Sequence, residues 1–150
     1  MVFLAFASAL VAWRIGKELG MSDTIPIIRP LLGDEEVGAA TRAIKSGWVT
    51  QGPEVAAFER EFAEYVGAPY ACMTSNCTTA LHLALLASGV GAGDEVITVS
   101  GSFIATANAI QYCGAIPVFV DVDGESGNIS PDEVENAITP KTKVVLAVHQ

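Results

Sequence analysis

The sequence predicts an α/β protein of three layers, a mostly parallel sheet with helices on both faces. Three observations carry that prediction. Apolar runs at residues 70–74, 95–99, 116–121 and 143–148 are near-continuous rather than alternating, as strands buried on both faces are. Between them lie segments of about ten residues with helical periodicity, and strands alternating with helices build parallel sheets. Glycine-rich turns, such as the one from Gly89 to Asp94, punctuate the alternation.

The elements follow in order. Residues 25–32 (Ile-Pro-Ile-Ile-Arg-Pro-Leu-Leu) are extended, because proline disfavours helix at itself and at the residue before it. Asp34 can cap a helix whose Val37, Ala40, Thr41 and Ile44 share a face, and Gly47 stops it. Pro53 suits the first turn of a second helix, with a stripe of Val55, Phe58, Phe62, Tyr65 and Val66 ended by Gly67. A strand at 70–74 leads into a helix over 78–88, with Leu81, Leu85 and Leu86 on one face. The strand at 95–99 is followed by a helix over 103–112 and a third strand at 116–121. Ser130-Pro-Asp-Glu133 opens a helix with a capping box, and its apolar face is Val134, Ala137 and Ile138. The fourth strand is 143–148.

Composition narrows the classes of function. The 150 residues suffice for one domain with a sizeable core. Seventeen acidic residues against eight basic ones give a charge of −9 without a Lys/Arg cluster, which disfavours nucleic acid and anionic membrane as partners. Cys72, Cys77 and Cys113 lack metal-type spacing and read as reduced thiols of a cytoplasmic protein. Residues 1–20 read as an extraneous apolar leader, with Met21 as a natural start. The run from Met1 to Trp13 is shorter than the roughly 20 residues a span needs, and its positive charges follow it instead of preceding it. A signal anchor is the alternative.

In parallel sheets ligands bind beyond the carboxyl ends of the strands. Three groups of residues fall there: 75–79, Ser100-Gly-Ser-Phe103 and His149-Gln150. The first joins a strand to a helix N-terminus through Ser75-Asn-Cys-Thr-Thr79. Unpaired amides and the helix dipole there favour an anion, and Ser75, Asn76, Thr78 and Thr79 can add side-chain donors. Two readings are open: a phosphate cradle, or a helix capped by Thr78. Phe103, at the mouth of a helix, is either core or a ring that stacks on a flat ligand. His149 reads as a structural residue at a strand end, and His82 has no evident partner. Asp121 and Asp123 read as a polar loop, not a metal site, since neither histidine nor a third acid accompanies them. The turn after the first strand lacks a dinucleotide glycine pattern.

Six motifs occur together in order: Gly47-Trp-Val-Thr-Gln-Gly-Pro53, Ser75-Asn-Cys-Thr-Thr-Ala-Leu81, Gly93-Asp-Glu-Val-Ile97, Ser102-Phe-Ile-Ala-Thr-Ala-Asn108, Gly114-Ala-Ile-Pro-Val-Phe-Val-Asp-Val-Asp123 and Val148-His149. Over residues 25–150 the chain resembles the DegT/DnrJ/EryC1/StrS aminotransferases. These are pyridoxal-phosphate (PLP) enzymes of fold type I that act mostly on nucleotide-linked keto sugars. The resemblance implies that residues 21–150 are the N-terminal part of the PLP-binding large domain. It places the cofactor phosphate on Thr78, Thr79 and the backbone amides around Cys77, and the pyridine ring against Phe103. The family's usual glycine is Cys77 here, which is tolerable where the backbone is not left-handed.

The reaction also needs a lysine that holds the cofactor as a Schiff base and a carboxylate that keeps the pyridine nitrogen protonated. In the family both follow the histidine that His149 matches. Lys17, Lys45, Lys141 and Lys143 do not match that lysine, so catalytic residues are expected to lie outside these 150, and the chain by itself is not expected to transaminate. The implied activity is transfer of an amino group, typically from glutamate, through pyridoxamine phosphate (PMP) to the keto sugar, by a homodimer. A sugar dehydratase of the same family and a non-catalytic phosphate-binding module are the alternatives.

Overall fold

A computed structural model describes residues 30–150. The expected leader at 1–20, the start at Met21 and the first residues of the extended 25–32 segment lie outside the described residues. The described residues belong to two units, divided between Thr50 and Gln51.

The first unit holds helix α1 (Asp34–Ser46). Its cap is Gly33, not Asp34, which is already helical. The Glu36 carboxylate reaches back 2.7 Å to the Gly33 amide and satisfies an otherwise orphan donor. That bond holds the Glu36 carboxyl below its ordinary range. Gly47 ends the helix as predicted, at φ 80°, where a side chain would be strained. Val37 and Ile44 of the expected apolar face are exposed, because nothing among the described residues of this unit covers them.

The second unit contains α2 (Pro53–Val66), α3 (Cys77–Ala87), β1 (Glu95–Val99), α4 (Ala105–Tyr112), β2 (Ile116–Val120), α5 (Pro131–Ala137) and β3 (Thr142–Val145). The strands form a parallel sheet in the order β2-β1-β3. Central β1 is the most buried element, and its alternate side chains face two cores. On one side Val96 packs with Leu85 of α3, with Ala109 and Ile110 of α4, and with Cys113 just beyond α4. On the other, Ile97, Val99 and Val120 pack with Val134 and Ala137 of α5. Helices on both faces make the predicted three layers. The one fully buried polar residue of β1, Thr98, donates its hydroxyl to the Leu146 carbonyl at 2.8 Å and so avoids the penalty of an unpaired group. Burial pushes the Cys113 thiol up, which keeps it protonated and inert.

Three further expectations need correction. Residues 70–74 form no strand: the Met73 amide donates to the Glu59 carboxylate at 2.7 Å, and no sheet strand takes the segment as a neighbour. Apolar composition cannot supply that missing partner. The α2 stripe forms a helix, but Tyr65 is 88% exposed and only Ala63 is buried, so its apolar face also lacks a layer against it. Phe58 and Phe62 stack on each other, with centroids 5.5 Å apart. At α5 only half of the capping box forms. Ser130 accepts from the Glu133 amide at 3.3 Å, while its own amide donates to Asp121, not to Glu133. No helix among the described residues is long and apolar enough to cross a membrane.

Candidate functional site

The direction of α3 decides where its N-terminus lies. Its C-terminal end feeds the turn into the start of β1, and Gly89 lies beside the Lys143 side chain at the amino end of β3. Eleven helical residues rise about as far as five strand residues, roughly 16 Å. Residues 75–78 therefore sit level with the carboxyl end of the sheet, where β1 gives way to the Ser100–Phe103 loop. Leu81 and Leu85 hold α3 in that position against the α4 side of the core.

The N-terminus itself is capped by Asn76, not Thr78. Asn76 Oδ1 accepts from the Thr79 amide at 2.9 Å and from the Thr79 hydroxyl at 3.2 Å. Thr79 Oγ1 also lies 3.3 Å from Ser75 Oγ, and the Thr74 hydroxyl donates to the Asn76 carbonyl at 2.9 Å. The cap at Asn76 agrees with the N-cap ranking, which asparagine leads. Its consequence is a division between the two threonines. Thr79 is engaged, whereas among the described residues no protein group bonds the Cys77 and Thr78 amides or the Thr78 hydroxyl. No acidic residue occupies the first turn of α3, although α1 opens with Asp34, Glu35 and Glu36 and α5 with Asp132 and Glu133. Among the described residues no non-glycine has positive φ, so Cys77 meets the condition for replacing glycine. This donor set fits a phosphate.

Phe103 is not core. It is 77% exposed, directly beyond β1 and ahead of α4, and it borders a shallow depression of about 120 Å³ with Phe119, Ile104 and Thr106. Gln150 ties this loop to the end of β3: its side-chain amide donates to the Gly101 carbonyl at 2.8 Å, and its backbone amide to Asn128 Oδ1 at 3.0 Å. His149 is exposed at the same end of the sheet, and His82 packs edge-on against Tyr112. Asp121 and Asp123 turn their carboxylates to local donors. Asp121 accepts from the Val122 amide, and Asp123 from the Ser126 amide and hydroxyl at 2.8 Å each. Bonds from Ser126 hold the Asp123 carboxyl low. Lys141 and Lys143 flank Thr142 at the amino end of β3, away from the loops just described.

Comparison with known proteins matches residues 30–150 to the model of the DegT/DnrJ/EryC1/StrS aminotransferase family. The spore coat polysaccharide biosynthesis protein SpsC of Bacillus subtilis is 50% identical over 125 residues, 83% of this chain and 32% of SpsC. The crystal structure of 3-amino-5-hydroxybenzoic acid synthase superposes with a TM-score of 0.76 at 43% identity, over 85% of this chain and 33% of that one. NtdA from Bacillus subtilis, solved with bound cofactor PMP, gives a TM-score of 0.74 at 36% identity, over 85% and 32%. The chain thus spans about a third of the length of these relatives. Its parallel sheet and flanking helices share the fold of part of the fold type I PLP-dependent aminotransferases. The matched segment includes both the open α3 terminus and the Phe103 loop, and the chain belongs to the DegT/DnrJ/EryC1/StrS aminotransferase family.

Proposed function

We propose that residues 21–150 act as the N-terminal part of a PLP-binding large domain and hold the cofactor's phosphate and one face of its ring. The enzyme of which they form part transfers an amino group, with glutamate as donor, to a nucleotide-linked keto sugar in the cytoplasm, as a homodimer. The observation that carries this reading is the open, acid-free terminus of α3 in a chain of this family. The amides of Cys77 and Thr78 and the Thr78 hydroxyl bind the phosphate. The Thr79 hydroxyl joins them by exchanging its long bond to Asn76. Phe103, mounted on the loop beyond β1, covers the ring and keeps water from that face. When bound, the cofactor supplies an electron sink for the amino transfer. Its covalent anchor is none of Lys17, Lys45, Lys141 and Lys143. Support for that statement is the placement of Lys141 and Lys143 at the end of β3 opposite the α3 terminus.

Titration of the protein, as expressed from its gene, with PLP and with pyridoxal tests the phosphate site. PLP should bind at least tenfold more tightly, the value of one charge-assisted hydrogen bond or more. Equal affinities would remove the cradle. Borohydride reduction followed by mass spectrometry tests the anchor. A stoichiometric adduct on any of the four named lysines would overturn that part of the proposal.

A further inference from the structure

The geometry points to Ser102 and Thr106 as positioning residues that fix Phe103 for ring stacking, an inference that rests on the role proposed for Phe103. Helix α4 opens without the usual device. Its cap position is Ile104, at φ −53° and ψ −25°, and the Ile104 side chain makes no cap bond. Such a start has backbone bonds, from the Thr106 amide to Phe103 and the Asn108 amide to Ile104, but no side-chain cap. A hydroxyl pair adds to them: Ser102 Oγ and Thr106 Oγ1 lie 2.6 Å apart, at i and i+4 across Phe103. A helical threonine commonly turns its hydroxyl onto the carbonyl four residues back. Thr106 bonds the Ser102 side chain in the loop instead, and so staples loop to helix.

Two backbone bonds brace the same segment. The Thr106 amide donates to the Phe103 carbonyl at 3.0 Å, and the Ser102 amide to the Ser100 carbonyl at 2.8 Å. Thr106 is buried, so its hydroxyl needs a partner, and Ser102 is the one at hand. Phe103 itself has little packing to hold it, being largely exposed. The backbone on either side sets the direction of its Cα–Cβ bond, and the hydroxyl pair helps to hold that backbone. A ring carried on a braced segment avoids part of the ordering cost that a mobile segment would add to binding.

The test is a double-mutant cycle on the expressed protein, read as PLP affinity by titration and as the circular dichroism of the bound chromophore. Thr106→Val keeps shape and burial but removes the hydroxyl. It should weaken PLP roughly three- to tenfold, the range for one neutral hydrogen bond, and diminish the dichroic signal. Ser102→Ala, at a half-buried position that leaves the core intact, should do the same. Thr106→Ser should restore both. In a Phe103→Ala background Thr106→Val should add nothing, since its effect passes through the ring. Equal weakening in both backgrounds would make the pair merely structural and overturn the inference. So would a Thr106→Val protein with unchanged affinity beside a weakened Phe103→Ala protein. If Phe103→Ala itself binds PLP normally, ring stacking falls and the inference with it.

Discussion

Thr78→Ala is expected to weaken PLP binding by roughly 10- to 100-fold while leaving pyridoxal binding unchanged. Thr78 combines an amide and a hydroxyl without protein partners at the positive end of α3. A hydrogen bond from such a donor to a charged oxygen is worth about 1.5–3 kcal/mol, which sets the size of the effect. Thr79→Ala should cost less. Its hydroxyl bonds Asn76 and lies near Ser75, so contact with phosphate exchanges one hydrogen bond for another. The decisive comparison is the ratio of PLP to pyridoxal affinity in the two variants. If Thr79→Ala collapses that ratio and Thr78→Ala does not, the roles assigned from the cap are reversed. If neither changes it, the phosphate does not lie on α3. An Asn76→Ala control should lower helix stability by about 1 kcal/mol through loss of the cap.

The sequence made the sheet legible because burial on both faces leaves a direct mark on composition. Residues 95–99 read as a strand and form one, since Val96, Ile97 and Val99 are each required by one of two cores. Residues 70–74 carry the same composition without the same result, because a strand is completed by a neighbour that its own residues do not encode. The α1 and α2 stripes show the matching limit for helices: spacing predicts an apolar face, not what covers it. At the site, the phosphate-binding segment was readable from chemistry, since small polar residues at a strand-to-helix junction leave amides open. In the sequence the cap reads as Thr78, because threonine is also a good cap and only the backbone shows that the helix begins at Cys77. The Ser102–Thr106 pair was hidden for another reason. Two hydroxyls four residues apart signify nothing until the helix is known to begin between them.

Ile97→Ala should produce the largest loss of stability in the second unit, about 3 kcal/mol within the 2–5 kcal/mol range for such truncations. Ile97 is fully buried in the middle of the central strand, opposite Val118 on one side and Val145 on the other. Its carbonyl also receives the Leu146 amide at 2.8 Å, so the backbone around it is held from both edges and collapses poorly into a void. Urea unfolding should show a lower midpoint with an unchanged slope, which separates lost packing from an altered denatured state. Ile116→Ala is the internal control, because Ile116 begins the edge strand β2 and is half exposed. Its cost should stay below about 1.5 kcal/mol, since less area leaves water there. Equal costs at the two positions would mean that the sheet is not centred on β1. A large cost at Ile97 alone, with PLP affinity preserved under native conditions, would separate the scaffold from the site it carries. The sheet would then set the stability of the unit, and the loops beyond its carboxyl edge would set what it binds.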